Sequence, residues 1–140
     1  MKEANWDDCI GFQDAVRITP DRGKAKSLVE IAEERIRFTS KEISEKNANF
    51  IFEDYYSSII ELVHSLVILA GYKVSNHICL GYYLKDILKR EDLFRVFDDL
   101  RYKRNSLTYY GKKMDLETAK ETIEKSKLLV KQIKELIKKV

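Results

Sequence analysis

Residues 50–70 constrain the fold of this chain more than any other stretch. At about 100° of rotation per helical residue, Phe52, Tyr55, Tyr56, Ile59, Val63, Leu66 and Val67 share one face, and Ile51, Leu62 and Leu69 widen it well beyond the stripe of a surface helix. A helix that is apolar over so much of its circumference needs partners on more than one side. It is either central in a bundle, or it packs on its own domain and on a second copy of the chain.

The rest of the chain supplies suitable partners. With one Pro and five Gly in 140 residues, 44% hydrophobic and 35% charged, the composition suits a helical bundle far better than a turn-rich sheet protein. The expected fold is all-α, an antiparallel bundle of about five helices. Thr19-Pro20-Asp21 reads as a helix start, with a capping hydroxyl and Pro at the first helical position. Ala25, Leu28, Val29, Ala32 and Ile36 follow at amphipathic spacing, to about residue 40. Asn47 or Asn49 caps the second helix and Gly71 closes it. Ser75 or Asn76 opens a short third helix running through Leu88, and Glu91 leads into a fourth, which Gly111 stops as a left-handed cap. Asp115 caps a fifth, with a stripe of Leu116, Ala119, Ile123, Ser126, Val130, Ile133, Ile137 and Val140. Upstream, Asn5 caps a short helix bearing Trp6, Cys9 and Ile10. Residues 1–19 are expected to form a packing segment and residues 20–140 the bundle.

Several function classes drop out. No apolar run approaches the roughly eighteen residues of a membrane span, and the polar start with Asp7, Asp8 and Asp14 resembles no targeting peptide, so no membrane association and a cytoplasmic location are expected. Cys9 and Cys79 belong to no CxxC or Cys/His cluster; they read as small buried apolar residues, with neither a disulfide nor a zinc site indicated. His64 and His77 fall in different helices, which argues against a metal triad and for structural or surface roles. Gly-rich phosphate loops, HExxH and nucleophile elbows are absent, and no cofactor or metal is expected.

One misfit stands out in the fourth helix. Leu93, Val96, Phe97, Leu100 and Leu107 share a side, and Arg104 falls near its middle. A permanently charged group on an apolar face is either paired there or lines a cleft. One reading is a structural ion pair with Glu53 or Asp54 of the second helix. The other is an anion or RNA-phosphate site, in which the planar guanidinium grips phosphate in two-pronged fashion, flanked by Arg101, Asn105 and Thr108. Residues 101–113 add a local basic run of Arg101, Lys103, Arg104, Lys112 and Lys113 without an acid.

The run Arg104-Asn105-Ser106-Leu107-Thr108-Tyr109, near the end of the fourth helix of such a chain, resembles the motif of the HEPN superfamily, and in particular small stand-alone prokaryotic members. These are all-helical nucleotide-binding or RNA-cleaving domains. The likeness covers about residues 20–140 in helix order and length. The family motif is an Arg separated by about four residues from a His, the first of them often Asn. Arg104 matches the Arg, Asn105 the Asn, and Tyr109 stands where the His belongs.

The resemblance implies a homodimer in which Arg104, Asn105 and Tyr109 of two chains form one RNA- or nucleotide-binding cleft without a metal, a toxin–antitoxin setting, an acidic partner at Glu53 or Asp54, and further anion contacts from Arg101, Thr108 and Tyr110. It also implies a possible partner protein of the nucleotidyltransferase type, which makes Tyr109 and Tyr110 interesting as modification sites. Cleavage by 2′-hydroxyl attack needs a proton carrier near neutral pH; His has an unperturbed pKa of roughly 6.5 and Tyr about 10, so Tyr109 is a poor general base and RNase activity is expected to be weak or absent. Tyr109 remains suited to stacking on a base or bonding a phosphate. The alternative is a non-catalytic interaction module, with Arg104 in an ion pair and the broad second-helix face holding a partner.

Overall fold

The computed structural model describes residues 2–140, and among them it contains six α-helices and one two-stranded sheet. Four long helices make the bundle: α2 (Arg22–Phe38), α3 (Ala48–Leu69), α5 (Glu91–Tyr110) and α6 (Leu116–Lys138). The short helices α1 (Trp6–Gly11) and α4 (His77–Tyr82) accompany strands β1 (Ala15–Arg17) and β2 (Tyr72–Val74).

The bundle is organised around α3. Fifteen of its 22 residues are buried, including every member of the expected face from Phe52 to Val67. The widened face is covered within this chain, so α3 is central and needs no second copy to be buried; the notion that this face holds a partner is thereby corrected. Against α2 it runs antiparallel. Ser65 Oγ donates to the Ala25 carbonyl at 3.2 Å, Ser58 Oγ to the Ala32 carbonyl at 3.3 Å, and Thr39 Oγ1 to Asp54 Oδ2 at 2.7 Å, α3 numbers falling as α2 numbers rise. Small hydroxyls let two helices approach while their donors stay satisfied. On its other flank α3 meets α6: Asn49 bonds both the Met114 N–H at 3.0 Å and its carbonyl at 3.2 Å, just before α6 begins. Ser126, the one polar member of the α6 stripe, is fully buried but donates to the Thr122 carbonyl at 2.8 Å.

Three helix starts follow the expected chemistry, α2 shifts its cap, and at α3 Asn47 holds the cap position while its side chain makes no capping bond. Asn5, Asn76 and Asp115 each accept from the backbone N–H three residues on, at 2.8–2.9 Å. For α2 the cap is Asp21, bonded to the Lys24 N–H at 2.9 Å, rather than Thr19. Asp accepts as well as Thr at this position, and Thr19 and Pro20 are left in the approach to the helix. Gly111 caps α5 at φ +62°, as the sequence indicates.

Two connections were not expected. Residues 15–17 pair antiparallel with residues 72–74, Ala15 opposite Val74 and Arg17 opposite Tyr72. Beside this ladder Cys9 and Cys79 form a disulfide with their Cα atoms 5.9 Å apart, which corrects the reading of them as free buried thiols. Their separation of 70 residues carries no sequence signature; they meet because the strand pairing brings α1 onto α4. Beyond α4 the chain makes one π-helical turn, Tyr83–Ile87, in which the Leu88 N–H reaches back to the Tyr83 carbonyl at 3.1 Å. The short third helix is therefore interrupted rather than continuous to Leu88.

Residues 2–19 join the same core, with Trp6 and Ala15 buried. Trp6 packs edge-on against Tyr72 and Tyr83, and its backbone N–H donates to Asp86 Oδ2 at 2.8 Å. No helix among the described residues is long and apolar enough to cross a membrane.

Candidate functional site

Arg104 is positioned by what lies beneath it. Leu93, Phe97 and Leu100 are at most 1% exposed and fix the face of α5 against the core, each contributing roughly 1.5–3 kcal/mol by burial. One turn further on, the same face emerges from the core. Arg104 is half-buried there, its guanidinium carbon 5.5 Å from the ring centre of Tyr56 on α3 and 6.0 Å from that of Tyr109. Stacking on aromatic faces shelters the planar cation while leaving its N–H edges available.

No carboxylate pairs with Arg104 among the described residues. Neither expected partner reaches it. Asp54 faces α2, where it accepts from Thr39, and Glu53 does not line the cleft that Arg104 borders. The ion-pair reading of Arg104 is corrected accordingly: Asp54 is turned to α2, Glu53 makes no ion pair among the described residues, and the α3 side chain that meets Arg104 is Tyr56.

The cleft has a volume of about 510 Å3 and three walls. Arg101, Arg104, Asn105 and Tyr109 come from α5; Asn76, His77 and Ile78 from the start of α4; Lys2 and Glu3 from the N-terminal segment. α4 can lie this close to α5 because residue 81 is Gly; a Cβ there would meet Phe97 at 3.1 Å and Phe94 at 3.3 Å. The N-terminal wall is held by the disulfide, and by the Tyr82 hydroxyl donating to the Glu3 carbonyl at 3.1 Å.

Of the residues the sequence singled out, the structure brings Arg101, Arg104, Asn105 and Tyr109 into one cleft. Thr108 and Tyr110 are exposed on α5 but do not line it. The basic run also divides. Arg101 is held by Asp98 on its own helix at 2.9 Å, and Lys103 turns toward α6, bonding Asp99 at 2.9 Å and Thr122 Oγ1 at 3.4 Å. Among the lining side chains Glu3 is the one acid, against Lys2, Arg101 and Arg104. The cleft is cationic, which favours an anionic ligand.

His77 was not singled out as a site residue. Its Nδ1 lies 2.9 Å from the buried Tyr56 hydroxyl. Burial first, then repulsion from Arg104, His64 and Arg101, lowers its pKa to about 4, so the ring is neutral at pH 7. Burial likewise raises the Tyr56 hydroxyl above the ordinary tyrosine range, against the pull of Arg104 and Arg101. The hydroxyl keeps its proton and makes no other hydrogen bond among the described residues. It therefore donates to Nδ1, and the neutral imidazole carries its own proton on Nε2. Nothing in the spacing of residues 56 and 77 announces this pair, because it forms between helices that only the fold brings together. His64 is also lowered, chiefly by burial, and does not line the cleft.

Metal ligands are poorly provided. Carboxylate oxygens of Glu3 and Asp14 lie within 4.8 Å of the Cys79 sulfur, but that sulfur is committed to the disulfide and offers no thiolate. No protein-family model, curated protein or solved structure matches this chain. The likeness to HEPN domains accordingly rests on the motif and the helical frame alone.

Proposed function

We propose that this protein is a homodimeric RNA- or nucleotide-binding domain of the HEPN and toxin–antitoxin type, whose cleft takes phosphate through Arg104 with Asn105 and Tyr109 beside it. The observation that carries this reading is Arg104 itself: a half-buried arginine on the rim of a cationic cleft, sheltered by two aromatic rings and without a carboxylate partner among the described residues. A guanidinium so placed has its planar donor edge free for a phosphate, to which it bonds in charge-assisted pairs. Tyr109, 68% exposed, offers a ring for an unpaired base.

The chemistry available favours binding over cleavage. Tyr109 stands at the motif position of the proton carrier, and the imidazole lining the cleft, His77, comes from α4 rather than from that position. A tyrosine side chain is in general a poor proton carrier near neutral pH, so the motif position lacks its usual base. Metal-independent RNA cleavage is therefore weak or absent in this reading. The interaction-module alternative, with a nucleotidyltransferase-type partner, draws less support from a central α3 and an Arg104 stacked on Tyr56.

Fluorescence anisotropy with a labelled single-stranded RNA tests the reading, with light scattering to give the oligomeric state. Wild type is expected to bind as a dimer and Arg104→Ala to lose at least about tenfold in affinity, the worth of one charge-assisted contact. A protein that binds no RNA or nucleotide, or an Arg104→Ala variant that binds as wild type does, overturns it.

A further inference from the structure

The cleft contains a group that the family motif does not. His77 comes from α4, not from the motif helix, and it is gripped from below by Tyr56 of α3 at 2.9 Å. With Nδ1 engaged by the hydroxyl, Nε2 is the ring nitrogen left for a ligand in the cleft that His77 lines together with Arg104 and Arg101.

We propose that His77 is a proton-coupled anion-binding group of this cleft, becoming a further cation when a phosphodiester oxygen sits against Arg104. The proposal rests on the phosphate-binding reading of the cleft. Its physical basis is the set of charges facing the ring. From α5 come Arg101, tied to Asp98, and Arg104, with Tyr109 alongside; from α3 come Tyr56 and, further along, His64; from the N-terminal segment come Lys2 and Glu3. In the empty cleft the unpaired Arg104 is the largest electrostatic obstacle to charging His77, second only to burial. An anion on Arg104 cancels that repulsion and adds an attraction of its own, so an imidazolium becomes favourable where it was not. The proton taken up goes to Nδ1, where the Tyr56 hydroxyl turns from donor to acceptor, and Nε2–H is a donor in either protonation state.

Two consequences follow from linkage. Binding takes up a proton from solution on the acid side of neutrality, and affinity for the anion rises as pH falls. If the bound anion restores His77 to near its ordinary value of about 6.5, affinity for a fixed-charge ligand increases on the order of tenfold between pH 7 and pH 5. Tyr56 is the positioning residue, because it holds Nδ1 and leaves Nε2 for the ligand.

The test uses the full chain and a short uridine oligonucleotide, whose phosphodiesters and bases keep a fixed charge over this range. Anisotropy titrations at pH 7 and pH 5 on wild type, His77→Gln and Arg104→Ala are paired with an NMR titration of the His77 ring, free and saturated. The expected result is a roughly tenfold gain for wild type at pH 5, no such gain for His77→Gln, and a His77 midpoint at least one unit higher in the complex than in the free protein. A wild-type affinity indifferent to pH, a gain that survives His77→Gln, or a His77 midpoint unmoved by the ligand overturns the proposal while leaving the cleft as a phosphate site. Absence of binding at both pH values overturns the cleft reading and the proposal together. Should His77→Gln fold poorly, the ring titration of the wild-type protein decides alone.

Discussion

Arg35 and Arg104 both project from one helix toward another, and the molecule treats them differently. Arg35 of α2 reaches Glu61 of α3 with two bonds, Nη2 to Oε2 at 2.8 Å and Nε to Oε1 at 3.3 Å, and the pairing raises its pKa. That is how a structural arginine looks in this bundle: planar, bidentate and answered by an acid on the facing helix. Arg104 has the same planar group in a comparably sheltered place, yet the facing helix presents it with the ring of Tyr56, and beyond lies a cleft rather than a carboxylate. A paired arginine is satisfied by the fold; an unpaired one beside an opening is satisfied by something that enters.

The comparison sharpens or fails under perturbation. The largest effect is expected on the cleft side alone, from Cys9→Ser with Cys79→Ser. Opening a crosslink of 70 residues costs at most about 4 kcal/mol by loop entropy. Denaturant midpoints should fall accordingly, and hydrogen exchange should quicken in α1 and α4 before it does in the α2–α3 hairpin. Uniform loosening of both sides would show that the cleft walls do not depend on this tie.

Acid comes next. His77 is harder to protonate in the folded protein, about 4 against 6.5 unfolded, so the unfolded chain binds more protons between these values. Stability is full above about pH 6.5, falls as pH drops toward 4 and levels off below. The loss attributable to this half-buried ring is roughly 2 kcal/mol once solvent screening is allowed for. His77→Gln should flatten that part of the profile in urea titrations; an unchanged slope would assign the acid sensitivity elsewhere.

Arg35→Ala removes one half of a pair whose partner Glu61 is only 18% exposed, and should cost about 1 kcal/mol in chemical denaturation. Smallest of all is Tyr109→Phe. It keeps the ring over Arg104 and removes only the hydroxyl, so RNA affinity should change by no more than about threefold, roughly half a kcal/mol. A larger loss would mean the hydroxyl itself bonds the ligand.

Legibility in the sequence followed the range of the forces involved. The four long helices, the central place of α3, the caps at Asn5, Asn76 and Asp115 and the stop at Gly111 are local: side-chain period and capping chemistry announce them within a few residues. Arg104 was visible for the same reason, as a charge out of phase with its own helix. The Cys9–Cys79 bond, the pairing of residues 15–17 with 72–74 and the Tyr56–His77 contact are made between segments 21 to 70 positions apart, and no period or spacing encodes them. The basic run misled in part, because counting charges along a helix ignores direction: Lys103 points at α6 and Arg101 is held by Asp98. Asp54 misled likewise, since a shared helix does not mean a shared face: it is spent on Thr39 at the end of α2 while Tyr56 meets Arg104.

The most direct measurement sets the two arginines side by side, with melting temperature and RNA affinity determined for Arg35→Ala and for Arg104→Ala. If Arg104 serves a ligand, its loss lowers affinity by at least about tenfold, some 1.4 kcal/mol, and leaves the melting temperature within about one degree, while Arg35→Ala lowers the melting temperature by about 4 °C and leaves affinity unchanged. An Arg104→Ala protein that melts as early as Arg35→Ala, or earlier, and binds RNA undiminished would make Arg104 a structural residue after all.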